Sequence, residues 1–471
     1  MTAIPDRRAV AVPVIAAPAD GRAKFDGGVR LVAGSALWLS LLLVAYWWAA
    51  GGGFQAMTGW ETGLTSAGRL TGLLASDLLL AQVLLMARVP VLERAFGQDQ
   101  LIRHHRLVGF TSFNLMIAHI VLITWGYAAG ELGATPATIW DLTTDYPGML
   151  LALAGTVALT MVVVTSVKAA RRKIRYESWH LLHLYAYLGV GLALPHQLWT
   201  GQEFLASPGA TVFWWTVWAA AAGAVLFWRV AVPLGRNLWH RLRVAAVAPE
   251  GDGVFSVYLT GRHLGRLRAE AGQFFTWRFL NRKGWTRGNP YSLSAAPDGR
   301  SLRITVKELG DNSARVAALG PGTRVFFEGP YGRLTGRARN SPKVALIGAG
   351  VGITPLRALA EGLGYAPGEA VLLHRFTDRP LFEREFLVLA RERGLKLLRL
   401  PGRRRHPDSW LGDGVNVNGV DDLTALTFWV PDIAERDVYV CGPEQWTAAV
   451  RRSAEAAGVP AERLHIENFK W

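Results

Sequence analysis

Residues 105–127 read HRLVGFTSFNLMIAHIVLITWGY, and residues 183–199 read HLYAYLGVGLALPHQLW. Each is an apolar run holding two histidines: His105 and His119, 14 residues apart, then His183 and His196, 13 apart. An α-helix rises ~1.5 Å per residue, so each pair sets two imidazoles about 20 Å apart along a helix axis. Imidazole ligates haem iron, and facing helices of a bundle can hold a cofactor between them. Two such helices predict two haems, one above the other. The rotation is uneven. At ~100° per residue a 14-residue step returns within about 40° of its starting face, whereas a 13-residue step misses by roughly 140°. Pro195 precedes His196; a proline bends a helix and is expected to re-aim that last ligand. His104 and His180 stand as alternatives to His105 and His183.

The same greasy texture recurs on either side. Six apolar stretches precede residue 235, at about 31–50, 70–89, 107–127, 149–167, 179–199 and 211–233. Each has about the 20 residues that a helix needs to span hydrocarbon. Residues 1–30 read as a disordered basic leader, with Arg7, Arg8, Arg22, Lys24 and Arg30 and no convincing signal-cleavage site. Further basic residues sit between spans two and three (Arg94, Arg103, Arg106) and between four and five (Lys168, Arg171, Arg172, Lys173, Arg175). The segments 130–146 and 202–210 carry only Glu131, Asp141, Asp145 and Glu203 as charges. Positive charge marks the cytoplasmic side, so both termini are expected in the cytoplasm of a multi-pass cell-membrane protein. Spans three and five then run the same way, with His105 and His183 at the inner leaflet and His119 and His196 at the outer. Asp77 falls inside the second span; its readings are a local partner, a water-filled pocket or a proton path.

The net charge of +15 raises nucleic acid as a partner. The cytoplasmic loops account for most of the excess in the membrane half, and no basic–aromatic module accompanies it, so nucleic acid is set aside. Arg403, Arg404 and Arg405 read as a solvated loop. Cys441 is the single cysteine. One thiol excludes an intramolecular disulfide, a zinc ribbon and a cysteine-ligated iron–sulfur cluster. Redox centres in this chain are therefore haem and an organic cofactor.

Beyond residue 236 the composition becomes that of a soluble protein. Short β-rich runs at 254–260, 273–279, 302–307 and 324–327, separated by Gly/Pro turns, predict an antiparallel barrel or sandwich over 237–340. From 341 to 471 strand and helix alternate. An apolar strand at 344–347 leads into Gly348, Gly350 and Gly352, with Thr354 and Pro355 opening a helix at about 356–363. Strand, glycine loop and helix together form a nucleotide-binding α/β unit. Three local signals add to it: Arg287-Gly288-Asn289-Pro290-Tyr291-Ser292, Cys441-Gly442-Pro443 after the strand 438–440, and the terminal Trp471.

Across about residues 31–471 the sequence resembles the ferric reductase and NADPH oxidase superfamily. The resemblance implies a six-helix transmembrane bundle, an FAD-binding antiparallel β-barrel and a Rossmann-like α/β domain. It implies two b-type haems on His105, His119, His183 and His196. It implies FAD at Asn289, Pro290, Tyr291 and Ser292, and NADPH or NADH at Gly348, Gly350, Gly352, Thr354, Pro355, Cys441, Gly442 and Pro443. Asn289 stands where the family usually has histidine or arginine, leaving the flavin diphosphate to Arg287 or the amides from Gly310 to Ser313. In this reading Ser292 hydrogen-bonds near flavin N5, Tyr291 packs beside the ring, Cys441 lies near the hydride-donating carbon, and Trp471 covers the flavin until the nicotinamide displaces it. Arg375 follows the second strand of the α/β unit, where an arginine favours a 2′-phosphate and hence NADPH; the alternative is an ion pair with Asp378 or Glu383. A flavin must stand between a two-electron hydride donor and one-electron haem. The expected activity is electron transfer across the bilayer to an extracytoplasmic acceptor, ferric iron or dioxygen. The alternatives are a supply subunit for an extracytoplasmic protein acceptor and a haem-binding scaffold with a vestigial reductase.

Overall fold

The computed structural model describes residues 21–167, 170, 176–201, 203–281, 287–415 and 419–469. The chain divides into two compact units, Phe25–Val232 and one built from Pro233 onward.

The described elements of the first unit are helices: α1 (Gly21–Ala50), α2 (Trp60–Met86), α3 (Pro90–Phe96), α4 (Gln98–Tyr127), α5 (Thr135–Asp145), α6 (Met149–Ser166), α7 (Tyr176–Trp199) and α8 (Pro208–Ala224). A π-helical stretch, Val225–Ala231, leads from α8 into α9 (Val232–His240). Among the described residues five helical runs are long and apolar enough to cross a membrane: Phe25–Ala50, Trp60–Met86, Gln100–Tyr127, Met149–Ser166 and Pro208–His240. The expected sixth, over 179–199, is the helix α7. It has the length, but His183, Tyr185, Tyr187, His196 and Gln197 dilute its apolar character, and it stands outside those five. The first helix begins at Gly21, so residues 21–30 of the expected disordered leader are helical, while residues 1–20 lie outside the described ones.

Large apolar side chains such as Trp38, Phe110 and Leu150 point away from the protein. This is the pattern of helices solvated by lipid, which satisfy every backbone group internally. Lipid is as apolar as leucine, so helices in it associate through close packing at small residues and through polar contacts. Both devices are present. A Cβ on Gly68 would meet Ile123 at 2.9 Å, which lets α2 and α4 touch at the backbone. Gly155 and Gly189 do the same for α6 and α7, where a Cβ on Gly155 would lie 2.8 Å from the Gly189 carbonyl. Trp48 Nε1 donates to the Ser66 carbonyl at 3.0 Å, and Ser66 Oγ to the Gly53 carbonyl at 2.8 Å. Asp77 has the local partner expected of it: Ser40 Oγ donates to its carboxylate at 2.7 Å.

The second unit opens with α9 and two three-stranded antiparallel sheets. The strands are β1 (Arg243–Gly251), β2 (Val254–Thr260), β3 (Phe274–Phe279), β4 (Asn289–Ser292), β5 (Ser301–Lys307) and β6 (Val325–Tyr331). Their orders are β1-β2-β5 and β4-β3-β6. Antiparallel bridges, Leu293 to Ile304 and Arg243 to Arg324, tie the two sheets at both edges. One core fills the space between them, with Val257, Leu259, Phe275, Trp277, Ile304 and Phe327 fully buried. Along β3 and β6 buried residues alternate with more exposed ones, the period-2 pattern of a sheet with one wet face, whereas β2 and β5 are buried on both faces. Asn237 of α9 docks on this core like a short strand. Its Nδ2 donates to the Phe327 carbonyl at 2.7 Å and its Oδ1 accepts from the Phe327 amide at 2.9 Å.

The α/β part is a five-stranded parallel sheet, β11-β10-β7-β8-β9. Its strands are β7 (Val344–Ala349), β8 (Ala370–Phe376), β9 (Lys396–Pro401), β10 (Asp437–Pro443) and β11 (Leu464–Phe469). Helices α11 (Ile353–Gly362), α12 (Glu383–Arg393), α13 (Asp422–Trp429) and α14 (Glu444–Ala456) follow the short α10 (Asp311–Ala317). Apolar clusters lie on both faces of the sheet, as a parallel sheet requires. The chain leaves β7 toward β8 on one side and returns to β10 on the other. The carboxyl ends of β7 and β10 therefore flank the point where strand order reverses, which is where open α/β sheets take ligands.

Candidate functional site

Two helix pairs position the four histidines. On α4, His119 Nδ1 donates to the Gly68 carbonyl of α2 at 2.8 Å, and His105 Nδ1 to the Gln82 carbonyl of α2 at 3.3 Å. Gly68 and Gln82 are spaced as His105 and His119 are, in antiparallel register. On α7, His183 Nδ1 lies 3.3 Å from Ser166 Oγ of α6. His196 Nδ1 is buried without a hydrogen-bond partner, although the Ala193 carbonyl lies nearby, one turn back. A histidine that ligates a metal through one ring nitrogen almost always donates the other to an oxygen. Three of the four have Nδ1 so engaged, which leaves Nε2 for a ligand.

The rings meet in pairs. His105 and His183 have centroids 6.1 Å apart, and His119 lies within electrostatic range of His196. A metal–imidazole bond of about 2 Å on each side, plus about 1.1 Å from nitrogen to ring centre, requires about 6.2 Å between centroids. The inner pair has the separation of two rings sharing one iron. His104 turns elsewhere, onto Phe96 at 5.6 Å, while His180 sits one turn before His183 on α7. Gly72 completes the cradle: a Cβ there would lie 2.5 Å from His119 Nδ1, so any other residue would push that ring aside. Among the described residues no three His, Cys, Asp or Glu side chains gather to hold a metal ion, so the histidines come two by two. Gly68 and Gly72 escaped the reading of the sequence, although Gly68-Arg69-Leu70-Thr71-Gly72 is a small-xxx-small pattern of the kind that seats one membrane helix on another.

In the second unit, Asn289, Pro290, Tyr291 and Ser292 form β4 and pair with β3. Asn289 Nδ2 makes only long contacts, to the Arg287 carbonyl at 3.4 Å and the Trp277 carbonyl at 3.5 Å. Tyr291 is held by Trp277 Nε1, which donates to its carbonyl at 3.0 Å; burial pushes the phenol up to about 12. Ser292 is 4% exposed, and its hydroxyl has no partner. A buried hydroxyl left unpaired costs free energy until a polar group reaches it, so it fits a ring nitrogen of a bound flavin. The Gly310 amide is engaged within its own turn. The Leu309 and Gly310 N–H groups donate to Ser313 Oγ at 2.8 and 3.1 Å, so this turn caps α10 with its own serine.

At the carboxyl end of the sheet the two expected nucleotide motifs touch. A Cβ on Gly352 would lie 2.5 Å from the Cys441 carbonyl, so the glycine loop rests directly on the Cys441–Gly442 backbone. Gly350 has φ +54 and open space around it, the conformation glycine adopts without strain. Gly348 packs under Ile353 and Leu356. Thr354 is buried and donates to the Val351 carbonyl at 2.9 Å, and Pro355 is buried in the first turn of α11. Both therefore shape the loop and do not face solvent. Cys441 is fully buried in the core; burial, and then the charge of Glu467, push its thiol well above its usual pKa, so it is a neutral packing group there. Pro443 is exposed beside it. Lys470 and Trp471 lie outside the described residues, and with them the expected aromatic cover over the flavin.

Arg375 pairs with neither expected carboxylate. Its Nη2 donates to the Gly402 carbonyl at 3.1 Å, its Nε is buried without a partner, and Glu383 pairs with Arg399 at 3.0 Å. Burial, and then the nearby charge of Arg404, lower its pKa. The charge of Asp413 acts the other way, and the placement of Arg375 at the carboxyl end of β8 is what suits a 2′-phosphate. Arg375→Ala is expected to raise KM for NADPH about tenfold or more while leaving KM for NADH within about twofold, because a charged hydrogen bond contributes about 1.5–3 kcal/mol. An unchanged ratio of the two KM values refutes the assignment. Neighbouring His374 is 1% exposed, its Nε2 has no partner, and burial lowers its pKa to about 3. The unfolded imidazole binds a proton near pH 6.5 and the folded one resists it down to about 3. Stability is therefore lost as pH falls through that window, by up to about 1.4 kcal/mol per unit. Thermal melting of the wild type against His374→Leu between pH 7 and 4 reads it: the variant's slope is the shallower, and parallel slopes refute the role.

Comparison with known proteins finds two kinds of similarity. Residues 71–194 match the ferric reductase like transmembrane component, a stretch that takes in His105, His119 and His183 and stops two residues before His196. The chain is 30% identical over 273 residues to the flavohemoprotein of Pseudomonas aeruginosa, covering 54% of this chain and 63% of that one. It is 29% identical over 254 residues to the ferredoxin reductase component of the 3-ketosteroid-9-alpha-monooxygenase of Mycolicibacterium smegmatis, covering 50% and 67%. The chain thus spans less than two thirds of the flavohemoprotein's length. The solved cytochrome P450 reductase of Amycolatopsis aligns with 49% of this chain and 69% of its own, at TM-score 0.40 and 22% identity. Residues 71–194 are thus similar to a ferric reductase like transmembrane component, and about half of the chain is similar to flavohemoproteins and to ferredoxin reductase components.

Proposed function

We propose that the protein is a membrane oxidoreductase carrying electrons from cytoplasmic NAD(P)H, by way of FAD and two b-type haems, to an extracytoplasmic acceptor, ferric iron or dioxygen. The observation that carries this reading is the inner histidine pair, with centroids 6.1 Å apart and both Nδ1 atoms turned to oxygen. His105 with His183, and His119 with His196, would hold the haems, which supply one-electron carriage at two depths of the bilayer. Ser292 and Tyr291 would hold the FAD, which supplies the exchange between an electron pair and single electrons. The chain's own residues do the positioning. The Gly68 and Gln82 carbonyls fix two imidazole tautomers, Gly352 brings the nucleotide loop against β10, and Ser292 presents a hydroxyl that no protein atom satisfies. The basic loops support the cytoplasmic placement of the reductase, and the acidic outer loops favour a cation or neutral gas over an anionic chelate.

The test is reconstitution of the full chain in sealed vesicles with its reductase outward. NADPH added outside is expected to reduce a ferric chelate trapped inside, or to generate superoxide there from dioxygen. Haem reduced by NADPH with neither product formed would redirect the reading to a docked protein acceptor. Haem and flavin both absent from purified protein would overturn it.

A further inference from the structure

A buried charge cluster that belongs to none of the sites above joins the flavin-side sheets to the nucleotide domain. Arg303 lies on β5 and is 2% exposed. Its Nη1 and Nη2 make a bidentate pair with Glu385 of α12, at 2.7 and 3.0 Å. Its Nε and Nη2 also reach Ser294, donating to the hydroxyl at 3.1 Å and the carbonyl at 2.8 Å. Glu385 in turn pairs with Arg357, buried on α11, and Arg357 pairs with Glu361. Glu361 closes the circuit by accepting from the Ala296 amide at 2.6 Å. Burial works to raise Glu385, but Arg303 and Arg357 outweigh it and hold the carboxyl below its ordinary value.

The cluster's placement gives it meaning. Ser294 is two residues from Ser292, the hydroxyl that faces the flavin position. Arg357 is one turn from Ile353, where the glycine loop becomes α11. Each end of the cluster therefore grips the backbone beside one of the two reacting partners. We propose that Arg303, Glu385 and Arg357 are positioning residues for hydride transfer, setting the distance between the nicotinamide held by the glycine loop and the flavin held at Ser292. The proposal rests on the function above and names a determinant of its rate. Bidentate guanidinium–carboxylate pairs fix direction as well as distance, which apolar contacts do not. A misplacement of ~1 Å in the reacting geometry can cost about a hundredfold in rate.

Such a cluster could instead only hold the fold together, and the two roles separate. Buried ion pairs replaced by apolar residues of similar volume often regain stability, whereas removing one partner leaves a charge stranded. The experiment therefore compares the full-length wild type with Glu385→Gln and with the double variant Arg303→Met/Glu385→Met, each loaded with FAD in detergent. Melting temperature, nucleotide Kd and the anaerobic single-turnover rate of flavin bleaching by NADPH are measured. Glu385→Gln is expected to melt lower and to reduce flavin at least about tenfold more slowly at saturating NADPH. The double variant is expected to recover melting temperature yet stay slow, with Kd within about twofold of wild type throughout. Recovery of the rate together with melting temperature overturns the proposal, and so does a wild-type rate in either variant. A loss confined to Kd overturns it too. If the wild type binds flavin but NADPH never bleaches it, the functional reading fails first and the proposal with it. A normal wild type with unaffected variants sinks the proposal alone.

Discussion

Purified wild type is expected to carry two haems and His119→Ala about one, and the same loss is expected for His105→Ala, His183→Ala and His196→Ala. The argument is geometric. The inner rings lie 6.1 Å apart, and each of His105, His119 and His183 has Nδ1 turned to an oxygen. Removing one imidazole would take away one of the two side chains that would hold a haem at that depth. Alanine at His105 or His183 should abolish the inner haem, and alanine at His119 or His196 the outer. Pyridine haemochrome content measures the stoichiometry, and NADPH-driven transfer across the membrane should fall to background in all four. Full haem content in every variant would remove the basis of the proposed function. Haem lost in His180→Ala but kept in His183→Ala would move the inner ligand by one turn of α7.

The second large effect is expected at Gly352. Its φ of −62 suits any residue, so backbone conformation is no obstacle to alanine there. Space is the obstacle: the new Cβ would lie 2.5 Å from the Cys441 carbonyl oxygen and 2.8 Å from Gly442 Cα. Both neighbours are backbone, and neither can swing aside as a flexible side chain would. Relief comes from parting the loop after β7 from the end of β10, at a cost of about 1–3 kcal/mol. That seam is where the nucleotide would lie. Gly352→Ala is expected to slow flavin reduction by NADPH about a hundredfold while leaving flavin content near wild type, since Tyr291 and Ser292 sit on a different sheet. Gly320→Ala, whose Cβ would meet nothing within 4 Å, is the control and should behave as wild type. Equal rates for the two variants would show that the loop does not carry the nucleotide.

Hydropathy placed the bodies of the membrane helices well and their ends badly. Residues 60–69, with Glu61 and Arg69, do not look apolar, yet α2 begins at Trp60. Arg69 faces Glu203 at 3.7 Å, so charges at that end of the helix have a partner and the helix carries on past the apolar run. The histidines were legible because spacing along one helix is a sequence property. Their acceptors were not, because the carbonyls of Gly68 and Gln82 belong to the backbone and carry no letter. The contact of Gly352 with Cys441 could be read as two motifs but not as one seam. The Arg303–Glu385 pair joins positions 82 apart, and nothing local to either residue distinguishes it from a surface charge. The cap that Ser313 places on the Leu309 and Gly310 amides was not legible either, because a serine three residues after a glycine suits a phosphate turn and a helix cap alike.

The glycine seam between α2 and α4 also bears on the order of assembly. The Gly68 carbonyl, the space above Gly72 and the hydrogen bond to His119 are contacts of protein with protein, and they form as soon as the two helices meet in the bilayer. A zinc finger gains its fold only when its metal arrives. Here the ring that would grip iron is oriented by its neighbouring helix, with its tautomer already chosen. Haem, on the proposed function, would then fill a socket and not direct folding, so a haem-starved cell should accumulate membrane-inserted chain that turns red on addition of haem, without any further synthesis.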